Sequence, residues 1–147
     1  MSVRLSGPPE DARGSRVDTA KLRSRARRVL RAAGHAGSEL SLSLVDDDEM
    51  AELNRRFRGI DRPTDVLSFS LVEGEAAEHR GKLLGDVVIG VEMAERQARE
   101  AHRGFDHEVA RLLIHGLLHL LGHDHEEPSA AKAMRAEERR IWRSLED

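Results

Sequence analysis

The sequence predicts an α+β domain, a small mixed four-stranded sheet covered by about five helices, occupying residues 1–147 as one unit. Three observations carry this reading. Leu40, Leu42 and Leu44 alternate with Ser41 and Ser43, the period of two expected of a half-buried strand. Leu83 to Val91 reads LLGDVVIGV, the strongest strand signal in the chain. Helical periodicity fills most of the remaining length, punctuated by Gly and Asp at the element ends.

In chain order, Val3 to Leu5 alternates weakly and suits a short edge strand before Gly7-Pro8-Pro9. From Val17 to about Ala33, Val17, Ala20, Ala26, Val29 and Leu30 supply one apolar stripe, with Gly34 and Gly37 as stop signals. After the serine–leucine strand, Asp46 is a good N-cap for a helix through Met50, Leu53 and Phe57, closed by Gly59. Arg58 to Asp65 is an irregular connection, Val66 to Ser70 a short strand, and Glu73 to Lys82 a polar mobile loop. A helix is expected from about Glu92 to His102. Asp106 is expected to cap the next, which runs to Leu121 and stops at Gly122. An amphipathic helix from about Ser129 to Leu145 closes the series.

With no cysteine in 147 residues, disulfides and thiolate metal sites are excluded. No apolar run approaches about 18 residues and no signal pattern opens the chain, so a soluble cytoplasmic protein is expected, with no membrane partner. The net charge is −3, yet the charges are segregated. Arg16, Lys21, Arg23, Arg25, Arg27, Arg28 and Arg31 crowd one segment, and Arg55, Arg56, Arg58 and Arg62 form a second basic group. Arginine suits bidentate phosphate contacts, although solvated helix faces explain such residues equally well.

The segment from His115 to His125, HGLLHLLGHDH, concentrates the chemistry. His115 and His119 lie one turn apart on one helix face, where a single ion can accept both imidazoles. Gly122 permits the chain reversal that brings His125 back, and three imidazoles leave an open position for water, as in a catalytic zinc site. The spacing matches the metzincin pattern H-E-x-x-H-x-x-G-x-x-H except at Gly116, which stands where the general-base Glu belongs. Peptide hydrolysis by that route is therefore disfavoured. Gly inside a helix costs about 1 kcal/mol relative to Ala, so a close approach of substrate or backbone is expected there. Asp124 is a candidate for orienting an imidazole or acting as a base; a plain turn carboxylate is the alternative. His35, His79, His102 and His107 lack metal-like spacing and are expected at the surface, with His123 a spare imidazole.

These residues resemble the YbeY endoribonucleases, the bacterial rRNA maturation factors. Their H-G-x-L-H-L-x-G-Y-D-H signature stands here as HGLLHLLGHDH. Leu53 to Phe69, LNRRFRGIDRPTDVLSF, and Leu83 to Ile89, LLGDVVI, match two further motifs of that family. His123 replaces the usual tyrosine, and Ser70 a frequent proline, the latter expected to act only on a local loop. The first 35 residues match no motif.

The resemblance implies zinc on His115, His119 and His125, single-strand-specific RNA cleavage, and roles in 16S rRNA 3′-end maturation and ribosome quality control. It also implies that Arg58 is a functional arginine pairing with phosphate oxygens; a structural tie on the Asp61 to Asp65 loop is the alternative. Zinc would assist attack by water or by a ribose 2′-OH. Lys21 to Arg31 is expected to track a phosphate backbone, and DNA is not an expected partner. With no tyrosine, one tryptophan and three phenylalanines, stacking is expected to contribute little. A non-catalytic ribosome-assembly factor with a structural metal and a zincin-like peptidase remain as competing readings.

Overall fold

The serine–leucine alternation forms strand β2 (Glu39–Val45), with Leu40, Leu42 and Leu44 buried together. In the computed structural model, which describes residues 3–8, 17–71, 82–124 and 126–145, β2 pairs in parallel with β1 (Val3–Ser6) and β4 (Leu83–Gly90). Strand β3 (Val66–Ser70) joins antiparallel to β4, giving the order β1-β2-β4-β3. This is the mixed sheet the sequence predicts. Helices α1 (Thr19–Ala32), α2 (Asp47–Arg58), α3 (Val91–Glu100), α4 (Phe105–Leu120) and α5 (Pro128–Ser144) accompany it. Of the expected loop at Glu73 to Lys82, all but Lys82 lies outside the described residues. No described helix is long and apolar enough to cross a membrane.

The register between β2 and β4 shifts between Glu39 and Ser41, where Gly85 adopts φ 150°. A side chain at Gly85 would collide with the Phe69 carbonyl oxygen, so glycine is required at this bulge. Beyond it, Leu84, Val87 and Ile89 share the main core with Leu40, Leu42 and Leu44. Val88 instead joins Val45, Leu67 and Met50 in a smaller cluster beneath α2. Helix α4 anchors the main core. Its Leu112, Leu113, Leu117, Leu118 and Leu120 are each at most 1% exposed, and each contributes about 1.5–3 kcal/mol before the cost of ordering it.

Two helix starts differ from expectation. The N-cap of α4 is Gly104, not Asp106. Asp106 lies in the first turn, where its charge suits the helix dipole, and it pairs with Lys21 at 3.4 Å. Helix α1 begins at Thr19 rather than Val17, because the Asp18 side chain accepts from the Lys21 amide at 3.0 Å. Helix α5 begins at Pro128, whose fixed φ suits a first helical position.

Candidate active site

Helix α4 delivers His115 and His119 to one rim of a cavity of about 580 Å3. The helix ends as Gly122 predicts: Gly122 takes φ 95°, its amide donates to the His119 carbonyl at 3.1 Å, and the His123 amide donates to the Leu118 carbonyl at 3.0 Å. That double closure fixes the last turn, on which His119 sits. The two Nε2 atoms of His115 and His119 lie 3.1 Å apart, with ring centroids 4.6 Å apart and planes at 74°. Two ring nitrogens this close need a shared proton or a shared cation between them.

The other nitrogen of His115 decides what its Nε2 can do. Nδ1 lies 3.1 Å from Glu138 Oε1 on α5; a carboxylate only accepts, so Nδ1 carries the proton and Nε2 presents a lone pair. This carboxylate–imidazole arrangement is what orients metal-binding histidines. Two nitrogens about 2.0–2.1 Å from one tetrahedral zinc would stand about 3.3 Å apart, so the pair fits that ion. His125, the third predicted ligand, lies outside the described residues. Among the described residues no third imidazole or carboxylate completes a metal-binding group with the pair.

Glu138 was not singled out in the sequence, although a signal for it exists. Ala131, Met134, Glu138, Ile141 and Leu145 fall on one stripe of α5, and Glu138 is the acidic member of that apolar series. A carboxylate in such a stripe needs a partner, and His115 supplies it.

Gly116 is explained by the sheet rather than by substrate or backbone. A Cβ there would stand 2.7 Å from Val87 Cγ1, 3.1 Å from Val66 Cγ2 and 3.2 Å from Ser68 Oγ. The helix thus lies against the sheet at the position where a zincin-type Glu would project. Ser68 Oγ donates to the Gly116 carbonyl at 2.8 Å, and Ser70 Oγ donates to the Leu120 carbonyl at 2.9 Å. Ser70 is therefore a strand residue that ties β3 to the histidine helix, not a local loop effect. Val66, Ser68 and Ser70, one face of β3, form a wall of the cavity.

Arg58, the last residue of α2, lines the same cavity and is exposed. Among the described residues its side chain makes no hydrogen bond or ion pair. The loop after it is tied by other groups: Asn54 Nδ2 donates to the Arg62 carbonyl at 2.9 Å, the Gly90 amide to the Asp65 carbonyl at 2.8 Å, and Gln97 Nε2 to Asp65 Oδ2 at 3.3 Å. Asp124 also lines the cavity and is exposed, and its Oδ1 accepts from the Glu126 amide at 3.1 Å. His115, His119 and Asp124 are thus gathered around one space with Arg58, which comes from a distant part of the chain.

The family model described as Endoribonuclease YbeY matches residues 10–146. The chain belongs to the YbeY endoribonuclease family. Relatives named Endoribonuclease YbeY include that of Anaeromyxobacter sp. (strain Fw109-5), 47% identical over 98% of this chain and 72% of the relative. Another, from Desulfitobacterium hafniense (strain Y51), is 43% identical over 93% of this chain and 90% of the relative. The fold is similar to the solution structure of TM1509 from Thermotoga maritima, with a TM-score of 0.59 and 28% identity over 95% of this chain and 89% of that one. All three motifs of the YbeY resemblance lie within the matched span.

Proposed function

We propose that this chain is a single-strand-specific, metal-dependent endoribonuclease that acts in rRNA processing in the cytoplasm. The observation that carries the metal reading is the pair of Nε2 atoms 3.1 Å apart, with His115 held in its tautomer by Glu138. Family membership carries the RNA reading. The proposed substrate is the 16S rRNA precursor, cut in 3′-end maturation and in ribosome quality control, with the ribosome or a ribosomal protein directing the choice of site.

His115, His119 and His125 would hold one zinc ion. A bound divalent ion supplies Lewis acidity, lowering the pKa of a water and polarising a phosphoryl oxygen. Arg58, with no side-chain partner among the described residues, reaches the non-bridging oxygens and stabilises the charge that builds as the P–O bond breaks. The nucleophile is a water or the ribose 2′-OH. Asp124 accepts its proton, and the departing ribose oxygen takes one up. Gly116 leaves no carboxylate at the peptidase position, and the sheet fills the space where one would project.

Incubation of purified protein with single-stranded rRNA precursor tests this reading. Cleavage should disappear with a chelator, return with zinc, and be lost in His115→Ala. Cleavage that survives both chelation and His115→Ala would overturn it. A protein that binds zinc and rRNA yet cuts neither precursor nor simple single strands would instead be an assembly factor.

A further inference from the structure

Behind the Glu138–His115 contact, α4 and α5 enclose a second groove of about 520 Å3, walled by Arg111, Arg135, Arg139, Arg143, Trp142 and His107. We propose that this groove binds a single-stranded stretch of the RNA substrate beside the cleavage cavity, with phosphates on Arg135, Arg139 and Arg143 and a base against Trp142. The proposal rests on the RNA-cleavage reading above and adds a second binding site to it.

The arginines are placed for repeated anions. Arg135, Arg139 and Arg143 follow one another at i, i+4 and i+8, about 6 Å apart along the helix axis. Such a like-charge row destabilises an isolated helix. Among the described residues, none of the three side chains makes a hydrogen bond or ion pair that would offset it. Their neighbour Arg140, on another face, is paired with Glu137 at 2.7 Å. The row spans about 12 Å, room for about three phosphates of a stacked strand. A phosphopeptide offers one such group, whereas a nucleic-acid strand offers a series.

The aromatic wall points the same way. Trp142, the one tryptophan of the chain, is half-buried with its ring centroid 4.3 Å from that of His107. Base–aromatic stacking beside a basic row is the usual construction of a single-strand track. Of the chain's few aromatics, the useful one therefore stands where stacking can occur. The α1 row expected to track phosphate is partly engaged elsewhere: Lys21 and Arg25 bind Asp106, and Arg28 Nη2 donates to the Ser144 carbonyl at 2.8 Å.

Position completes the case. Glu138 lines the groove, and the carboxylate is engaged with His115, which lines the cavity. A strand lying on α5 therefore leads toward the histidine pair.

Trp142 emission provides the test, because a single tryptophan reports on the groove alone. A short 2′-O-methyl oligoadenylate titrated into the full chain should change that emission saturably. Arg139→Ala/Arg143→Ala, folded by circular dichroism, should bind roughly tenfold more weakly. The slope of log K against log salt should fall by about 1.4, or about 0.7 per lost phosphate contact. Arg139→Lys/Arg143→Lys should keep much of the affinity, and in cleavage of a long single strand the Ala pair should raise KM more than it lowers kcat. Unchanged Trp142 emission, or equal affinity and equal salt slope in the Ala pair, overturns the groove while leaving cleavage intact. A response to a phosphopeptide but not to the oligoadenylate overturns it as well. Saturable Trp142 binding by a protein that never cuts RNA would sustain the groove and sink the nuclease reading instead.

Discussion

The cavity over β3 and the groove between α4 and α5 lie on opposite sides of one contact, Glu138 to His115, and they are built from different materials. The cavity mixes imidazoles, hydroxyls and carboxylates with one arginine drawn from the end of α2. Its histidine helix is tied to the sheet through Ser68 and Ser70 and lies close to it at Gly116. The groove is a row of arginines beside an aromatic pair, with Arg135, Arg139 and Arg143 exposed to solvent. On the functions proposed above, such a contrast would separate holding a reacting group in one geometry from gripping a polymer along its length. Helix α4 borders both, offering different faces to the sheet, the cavity and α5.

Arg58→Ala should have the largest effect. A single charge-stabilising donor is worth about 100- to 1000-fold in kcat, with KM little changed, the reverse of the pattern expected for the α5 arginines. Steady-state cleavage of a simple single strand reads both. If Arg58→Ala and Arg139→Ala share one signature, cavity and groove are not distinct in role.

Glu138→Gln tests the wall between them. Losing the carboxylate that orients a metal-binding imidazole typically weakens metal affinity about 10- to 100-fold. Competition with a zinc-selective chelator should show that loss, with far-ultraviolet circular dichroism unchanged. Equal zinc affinity in the variant would mean that the Glu138 contact is only packing.

Glu108 examines the support of the groove. It is fully buried at the start of α4 and bonded to Arg111, a groove residue, at 2.5 Å, with Arg103 at 3.7 Å. Burial alone would push its carboxyl up, but the hydrogen bond and charge of Arg111, aided by Arg103 and His107, hold it below the ordinary glutamate range. A pKa lowered by folding stabilises the protein above the unfolded value, about 4.3, and that stability is lost as pH falls below it. Glu108→Gln should cost about 2 kcal/mol at neutral pH, less than the about 3–5 kcal/mol of a fully buried pair because both arginines are over a third exposed. In denaturant melts, the gap between variant and wild type should close as pH drops below that range. A pH-independent gap would contradict the assignment.

Gly116→Ala should have the smallest effect. Crowding Val87 and Val66 costs about 1–3 kcal/mol, partly offset by the about 1 kcal/mol that Ala gains in helix propensity. A net loss of about 1 kcal/mol is expected in thermal or denaturant unfolding, and a stabilised variant would show that the helix–sheet contact has slack.

How much of this was legible in the sequence follows from the range of each interaction. The leucine alternation of β2, the LLGDVVIG strand and the Gly122 stop are local patterns, and the structure has them where the residues say. Asp106 misled because a good capping residue was drawn to Lys21, across 85 positions of chain, while Gly104 took the cap. Glu138 escaped for the same reason: its partner stands 23 residues away on another helix. The bulge at Gly85 and the tight seat of Gly116 are likewise set by neighbours on other elements. Arg58 could be placed beside the histidines from sequence only through the family motifs, since nothing local marks it.

In the proposed function, His115, held by Glu138, and His119 bind the ion on which RNA cleavage depends. The most direct measurement adds zinc back to chelator-stripped protein and follows cleavage of a simple single strand, in wild type and in Glu138→Gln. Both should regain activity, with Glu138→Gln needing about 10- to 100-fold more zinc for half of its full rate. Cleavage in stripped protein without added zinc, or identical zinc curves for the two proteins, would contradict the proposal.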